Sequence, residues 1–169
     1  GCQNDGLGYA KPGNSKPKRG KFWVPLIGLF TGMRLNEICQ LEVSDIEKLD
    51  GVDVILIRKE GEGDDKKLKT RSAKRAVPIH PELKKMGLLK HVKKMKDKGK
   101  VRLFPDLSKG KTGYYSDPFE KWFGRFQDKA GAKTKKTSFH SFRHTFRDRL
   151  REANVNQDAV RALGGWKDS

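Results

Sequence analysis

His140, Arg143 and His144 stand at i, i+3 and i+4, a spacing that places all three on one side of a helix if the segment is helical. Phe142, Phe146, Leu150 and Ala153 form a second stripe at helical spacing. That stripe would bury itself and hold the polar side in a fixed orientation. The expectation is a rigid helix that presents a histidine and an arginine outward, the arginine being a permanently charged, bidentate donor for an anion such as phosphate. Arg147, Arg149 and Arg151 follow, so a basic amphipathic helix with solvated charges fits the same spacing.

Arg34 is a second guanidinium of interest. It falls in the first turn of a helix predicted to start near Met33 or Arg34 and to run to about Gln40. Backbone N–H groups are unpaired there and the helix dipole is positive, which favours an anion. Glu37, one turn on, could orient the guanidinium through a charge-assisted hydrogen bond. An ordinary intrahelical ion pair of ~0.2–0.5 kcal/mol has the same spacing. Lys69 lies at the mouth of a tight connection, TRSAK, from which a lysine could reach a substrate phosphate. Lys66, Lys67 and Lys74 are rivals, and a solvated role fits each of them as well.

The elements that must position these groups give an α+β chain, mainly helical, with a small three-stranded antiparallel sheet. Phe22, Trp23, Leu26, Ile27, Leu29 and Phe30 mark a first buried helix, with Pro25 in its opening turn and Thr31 and Gly32 breaking it. Residues 52–58 alternate and are β-branched enough for a strand, 61–65 read as a turn, and 66–69 and 75–79 complete the sheet. Pro81 opens a helix whose broken stripe continues to about residue 98. Ser116 or Asp117 caps another helix, which starts at Pro118 and buries Phe119, Trp122, Phe123 and Phe126. Residues 1–20 offer no face to bury and read as a flexible lead-in to a domain at 21–169.

Composition narrows the partner. The 169 residues carry 38 Lys and Arg against 21 Asp and Glu, a net charge of +17. Such a surplus suits a polyanion, nucleic acid first, because neutralising phosphates releases counterions. No apolar run approaches the ~20 residues of a membrane span, and no secretory signal stands out. Cys2 and Cys39 lack metal-ligand spacing, and Cys39 sits in an apolar helical pattern as a core residue. No metal or cofactor is expected. Tyr114 and Tyr115 suit packing or DNA contact.

Three stretches taken together resemble one family. H-x-x-R-H, an apolar helix, Ala153 and Val155 at a turn, a short helix and L-G-G-W are similar to the second half of the catalytic domain of the tyrosine recombinases, the phage integrase family. TGMRLNEICQL, at 31–41, resembles the family's first-arginine segment, and KTRSAKRAVPI, at 69–79, its hairpin-lysine segment. The resemblance implies site-specific DNA cleavage and rejoining through a 3′-phosphotyrosine. Arg34 and Arg143 would neutralise the phosphate, Lys69 would be the general acid, His140 a proton shuttle or phosphate donor, and Trp166 an indole N–H donor. Glu37 and His144 would support them. Neither Mg²⁺ nor ATP is implied, because the phosphotyrosine conserves the bond energy. The implied partner is double-stranded DNA at attachment-type sites, bound by a homotetramer, with this fragment a monomer. The implied setting is the cytoplasm of a bacterium, with the gene of bacterial or phage origin. A type IB topoisomerase shares much of the chemistry, and a non-catalytic DNA-binding module of the same fold is the alternative from another class.

The family's nucleophilic tyrosine follows the tryptophan position, whereas Tyr115 is the last tyrosine of the sequence. The expectation is that the parent polypeptide carries the nucleophile beyond Ser169. Residues 1–169 alone should then form no covalent adduct with nicked DNA in a denaturing gel assay. An adduct would overturn the site assignment.

Overall fold

In the computed structural model, which describes residues 18–59, 66 and 74–166, the apolar run around Trp23 folds as α1 (Gly20–Thr31). Trp23, Val24 and Ile27 are buried. The helix begins earlier than its hydrophobic pattern, so Pro25 falls in the second turn rather than the opening one, and the ladder bond to the Lys21 carbonyl is absent. Gly32 ends α1 at φ 62, and its N–H donates to the Gly28 carbonyl. A side chain there would carry left-handed strain.

The next helix, α2 (Leu35–Cys39), is a short one, and Arg34 is its N-cap in extended conformation rather than a residue of its first turn. Ile38 and Cys39 are fully buried. Burial pushes the Cys39 thiol far above its usual range, which keeps it protonated and unreactive, as expected of a core cysteine. A 3₁₀ turn at Val43–Asp45 leads into the sheet.

The sheet has three antiparallel strands in the order β1 (Ile46–Leu49), β2 (Val52–Ile57) and β3 (Arg75–Pro78). Its class and size agree with the sequence-based expectation, but its membership differs. Lys66 is in no strand, and the rest of the expected 66–69 strand and the 61–65 turn lie outside the described residues. The third place belongs to β1, which the alternation test misses because Glu47 and Lys48 occupy its middle. Leu49 pairs with Val52 across Asp50 and Gly51, at φ 47 and φ 80. Two successive positive φ values mark a two-residue type I′ hairpin, for which Asp-Gly is a strong local signal.

Beyond β3, His80 caps α3 (Pro81–Lys85) by accepting the Glu82 N–H at Nδ1, 3.1 Å, and Pro81 opens the helix as expected. Gly87 separates it from α4 (Leu88–Asp97), whose Leu88 and Met95 are buried under a lysine-rich outer face. The cap of α5 (Ser116–Lys129) differs from the expected Ser116 or Asp117: Asn36 Oδ1 of α2 accepts the N–H groups of Tyr115 and Ser116 at 3.1 and 3.2 Å. Phe119 and Phe123 of α5 are buried, while Phe126 is exposed.

Last come α6 (His140–Glu152) and α7 (Gln157–Gly164), the latter capped by Asn156. Phe119, Phe123, Phe139 and Phe142 form a continuous aromatic wall between α5 and α6. That wall presses on α1, where a Cβ on Gly28 would come within 2.6 Å of Phe139 and one on Gly32 within 2.5 Å of Phe146. Because α1 ends there, the α6 stripe is covered only in its first half: Leu150 is half-buried and Ala153 exposed. None of the described helices is long and apolar enough to cross a membrane.

Two alanine substitutions test this packing in opposite directions. Gly28→Ala should lower stability by about 1–3 kcal/mol, as overpacking does, because the Phe139 ring blocks the added methyl. Gly124→Ala in α5 meets nothing within 4 Å and should gain roughly 0.5–1 kcal/mol from helix propensity. Urea denaturation midpoints measure both.

Candidate active site

Gly32 closes α1 and Gly164 closes α7, and both helices leave carbonyls without helical partners at these ends. Arg143 fills the gap between them. Its Nη1 donates to the Gly32 carbonyl at 2.9 Å and its Nη2 to the Gly164 carbonyl at 2.6 Å. The residue is 4% exposed, and the Trp166 ring covers its guanidinium with the ring centroid 4.4 Å away. The expected outward arginine therefore turns inward. Phe139 and Phe142 draw that side of α6 toward α1, and the negative ends of two helix dipoles favour a cation at the junction. Burial, then the nearby charge of Arg34, pushes the Arg143 pKa down to about 10. The group is still fully charged at neutral pH.

Arg34 stands two residues from the Gly32 carbonyl. Its backbone N–H donates to Glu37 Oε2 at 2.9 Å and its Nη1 to Glu37 Oε1 at 3.0 Å. Glu37 thus orients this guanidinium in the way its spacing suggested. The carboxylate is buried, and it has a second cation that sequence reasoning missed: Arg75 of β3 donates to both oxygens, at 3.2 and 2.9 Å. Arg75 Nε also donates to the Leu163 carbonyl at 2.8 Å. A signal was available, because Arg75 shares the inward face of its strand with Val77, and a charge on a core-facing position requires a buried partner.

His140 and His144 are exposed on the outer side of α6, with ring centroids 4.7 Å apart and planes near perpendicular. The helix therefore shows solvent its two histidines and hides its arginine. Trp166 follows Gly165, the left-handed C-cap of α7, and is half-buried, and a Cβ on Gly164 would overlap its indole. Lys69 lies outside the described residues. Its rival Lys66 is buried, with Nζ 2.7 and 2.6 Å from the two carboxylate oxygens of Asp45 and 3.6 Å from Glu42. Such a lysine is anchored in the interior. Tyr115 is buried beneath the Arg102 guanidinium, 3.3 Å from its ring centroid, so its role is packing, while Tyr114 is exposed. Among the described residues no three His, Cys, Asp or Glu side chains cluster as a metal site.

The sequence profile of the phage integrase family matches residues 12–169, so it takes in the arginine, strand and histidine segments alike. The chain belongs to the phage integrase family. Solved structures of similar fold agree. The XerH site-specific recombinase bound to its difH substrate in a pre-cleavage complex is 24% identical, with a TM-score of 0.62 over 95% of this chain and 44% of that one. The Tn1549 transposon integrase in complex with transposon right end DNA is 25% identical, with a TM-score of 0.63 over 97% of this chain and 56% of that one. The XerA recombinase is 22% identical, with a TM-score of 0.56 over 84% of this chain and 46% of that one. This integrase-family chain spans about half the length of the solved relatives it matches. No curated protein matches it significantly. The mostly helical architecture with a three-stranded antiparallel sheet is that of tyrosine recombinase catalytic domains.

Glu37 links the site to pH. Burial alone would raise its pKa, but the bonds and charges of Arg75 and then Arg34 outweigh it and hold the carboxyl below the ordinary value. Its folded pKa therefore lies below its unfolded one. The stability it contributes is complete above the unfolded value, near pH 4.5, and is lost as pH falls through the folded value. Glu37→Gln should flatten the acid limb of a plot of melting temperature against pH below about 4.5. It should also lower stability at pH 7 by about 1–3 kcal/mol, both read by thermal denaturation.

Proposed function

We propose that this domain cleaves and rejoins DNA at specific sites through a 3′-phosphotyrosine, with the nucleophile supplied by a tyrosine beyond Ser169 in the parent polypeptide. The observation that carries the reading is the convergence of two guanidinium groups, Arg34 and Arg143, from segments 109 residues apart, onto one junction beside Trp166 and the exposed face of α6. Two fixed positive charges at one place suit a pentavalent phosphoryl transition state, whose charge lies on non-bridging oxygens.

Each group has a role in the reaction. The tyrosine oxygen attacks phosphorus as the bond to the 5′ oxygen breaks, and the departing oxygen takes a proton from Lys69. Arg34, at the rim, holds the non-bridging oxygens, and Arg143 backs it with its charge and with the one N–H on each Nη that the Gly32 and Gly164 carbonyls leave unused. His140 moves a proton or donates to the phosphate, with His144 beside it, and the Trp166 indole N–H adds a donor. Rejoining reverses the step, with a 5′-hydroxyl attacking the phosphotyrosine. Double-stranded attachment-type DNA is the substrate, a homotetramer the working assembly and the bacterial cytoplasm the setting. The net charge of +17 supports a DNA partner.

In the polypeptide extended through its nucleophile, Arg34→Ala and Arg143→Ala should each lower the rate of covalent adduct formation on nicked DNA by about 10²–10³-fold or more. Affinity for the same DNA should fall no more than about tenfold, as for one lost phosphate contact. Equal losses of binding and adduct, with the same relative rate on bound DNA, would instead favour a non-catalytic DNA-binding module.

A further inference from the structure

Glu37 is one carboxylate serving two guanidinium groups, and the two are held very differently. Arg75 is 6% exposed, covers both carboxylate oxygens and is tied at Nε to the Leu163 carbonyl. To leave, it would have to abandon at least these three charge-assisted bonds in a poorly solvated place. Arg34 is 27% exposed and has one side-chain bond to Glu37. Among the described residues no other protein acceptor meets its guanidinium. Glu37, Arg34 and Arg75 by themselves carry two positive charges and one negative one, a surplus of +1 to which the neighbouring Arg143, tied to the Gly32 and Gly164 carbonyls, adds its own. Geometry assigns Arg75 to the carboxylate and leaves the surplus at the rim, on Arg34.

We propose that Arg75 is a positioning residue that saturates Glu37, so that Arg34 keeps its charge available for the DNA phosphate. The proposal rests on the phosphate role given to Arg34 above. Without Arg75, the 5% exposed carboxylate would keep Arg34 as its remaining guanidinium partner. A buried carboxylate short of donors draws the nearest cation inward, and the Arg34–Glu37 pair would become neutral where a phosphate has to bind. Arg75 also has a mechanical duty. It and Arg143 hold the adjacent carbonyls of Leu163 and Gly164, just ahead of Trp166. A strut acting only through those carbonyls would be indifferent to the charge on Glu37, and that difference separates the two roles.

The test uses the full polypeptide that carries this domain, with single-turnover cleavage of nicked DNA, DNA affinity and melting temperature measured for each variant. Arg75→Met should slow cleavage by about 30-fold or more while affinity changes less than about fivefold, the pattern of a transition-state loss. Arg75→Met combined with Glu37→Gln restores the surplus charge to Arg34 and should recover roughly tenfold of that rate. Arg75→Lys, which keeps the charge, should retain at least about a third of the wild-type rate. If Arg75→Met does not fold, Arg75→Gln, which keeps a donor for the Leu163 carbonyl, takes its place in the same pair. A folded double variant as slow as the single one would overturn the proposal and leave Arg75 a strut. Arg34→Ala serves as the reference: no loss of rate in that variant removes the phosphate role of Arg34, and the broader catalytic reading with it. A slow Arg34→Ala with no relief from Glu37→Gln would remove the Arg75 role alone.

Discussion

The Arg143 guanidinium, wedged between the carbonyl ends of α1 and α7, is the constraint on which the rest of the site depends. A buried cation is costly unless it is fully hydrogen-bonded. Here two helix C-termini meet that need, and their dipoles add to it. The arrangement works in both directions, since each helix end would otherwise expose carbonyls with no partner. Removing the cation would therefore leave two helix ends facing each other with like partial charges. Trp166 covers the third side, so the position of the last described residue follows from the same group.

Packing brings the guanidinium to that point. The aromatic wall of Phe119, Phe123, Phe139 and Phe142 sets the depth of α6 against α1. Gly28 and Gly32 allow the approach, because any larger residue would strike Phe139 or Phe146. The close approach brings the start of α6 beside the Gly32 to Arg34 bend, so one turn of backbone both receives Arg143 and launches Arg34. Glu37 and Arg75 then tie that bend to β3, and the Arg75 bond to Leu163 ties β3 to α7. Helix, strand and helix are joined through polar groups, while the apolar core around Ile27, Ile55 and Phe104 supplies the general driving force.

The other buried charge cluster is built on the same logic away from the site. Lys66 sits on the Asp45 carboxylate with Glu42 3.6 Å away, and Arg58 donates to Asp45 Oδ1 at 3.1 Å, so Asp45, like Glu37, serves two cations. In a chain with so large a basic excess, each buried carboxylate becomes a point where several segments are gathered. Asp45 gathers the 3₁₀ turn, the end of β2 and Lys66. Glu37 gathers α2 and β3.

Much of this was legible in the residues. The helical period of Phe142 and Phe146, the helix-opening Pro81, the core character of Cys39 and the i, i+3 pairing of Arg34 with Glu37 all depend on neighbours within a few positions, where spacing fixes geometry. The three motif segments were readable for the same reason, each being short and ordered along the chain. The Asp50-Gly51 hairpin carried a local signal too, but charges in the middle of β1 masked the strand before it. The direction of Arg143 was not legible, because a partner at Gly32 is 111 positions away and i, i+3, i+4 spacing says nothing about which side of a helix meets another. Nor were the Arg75 clamp on Glu37, across 38 positions, or the Asn36 cap on α5, across 79. These pairings exist only once distant segments pack, since a buried polar group takes whichever partner the fold brings within 3 Å or so.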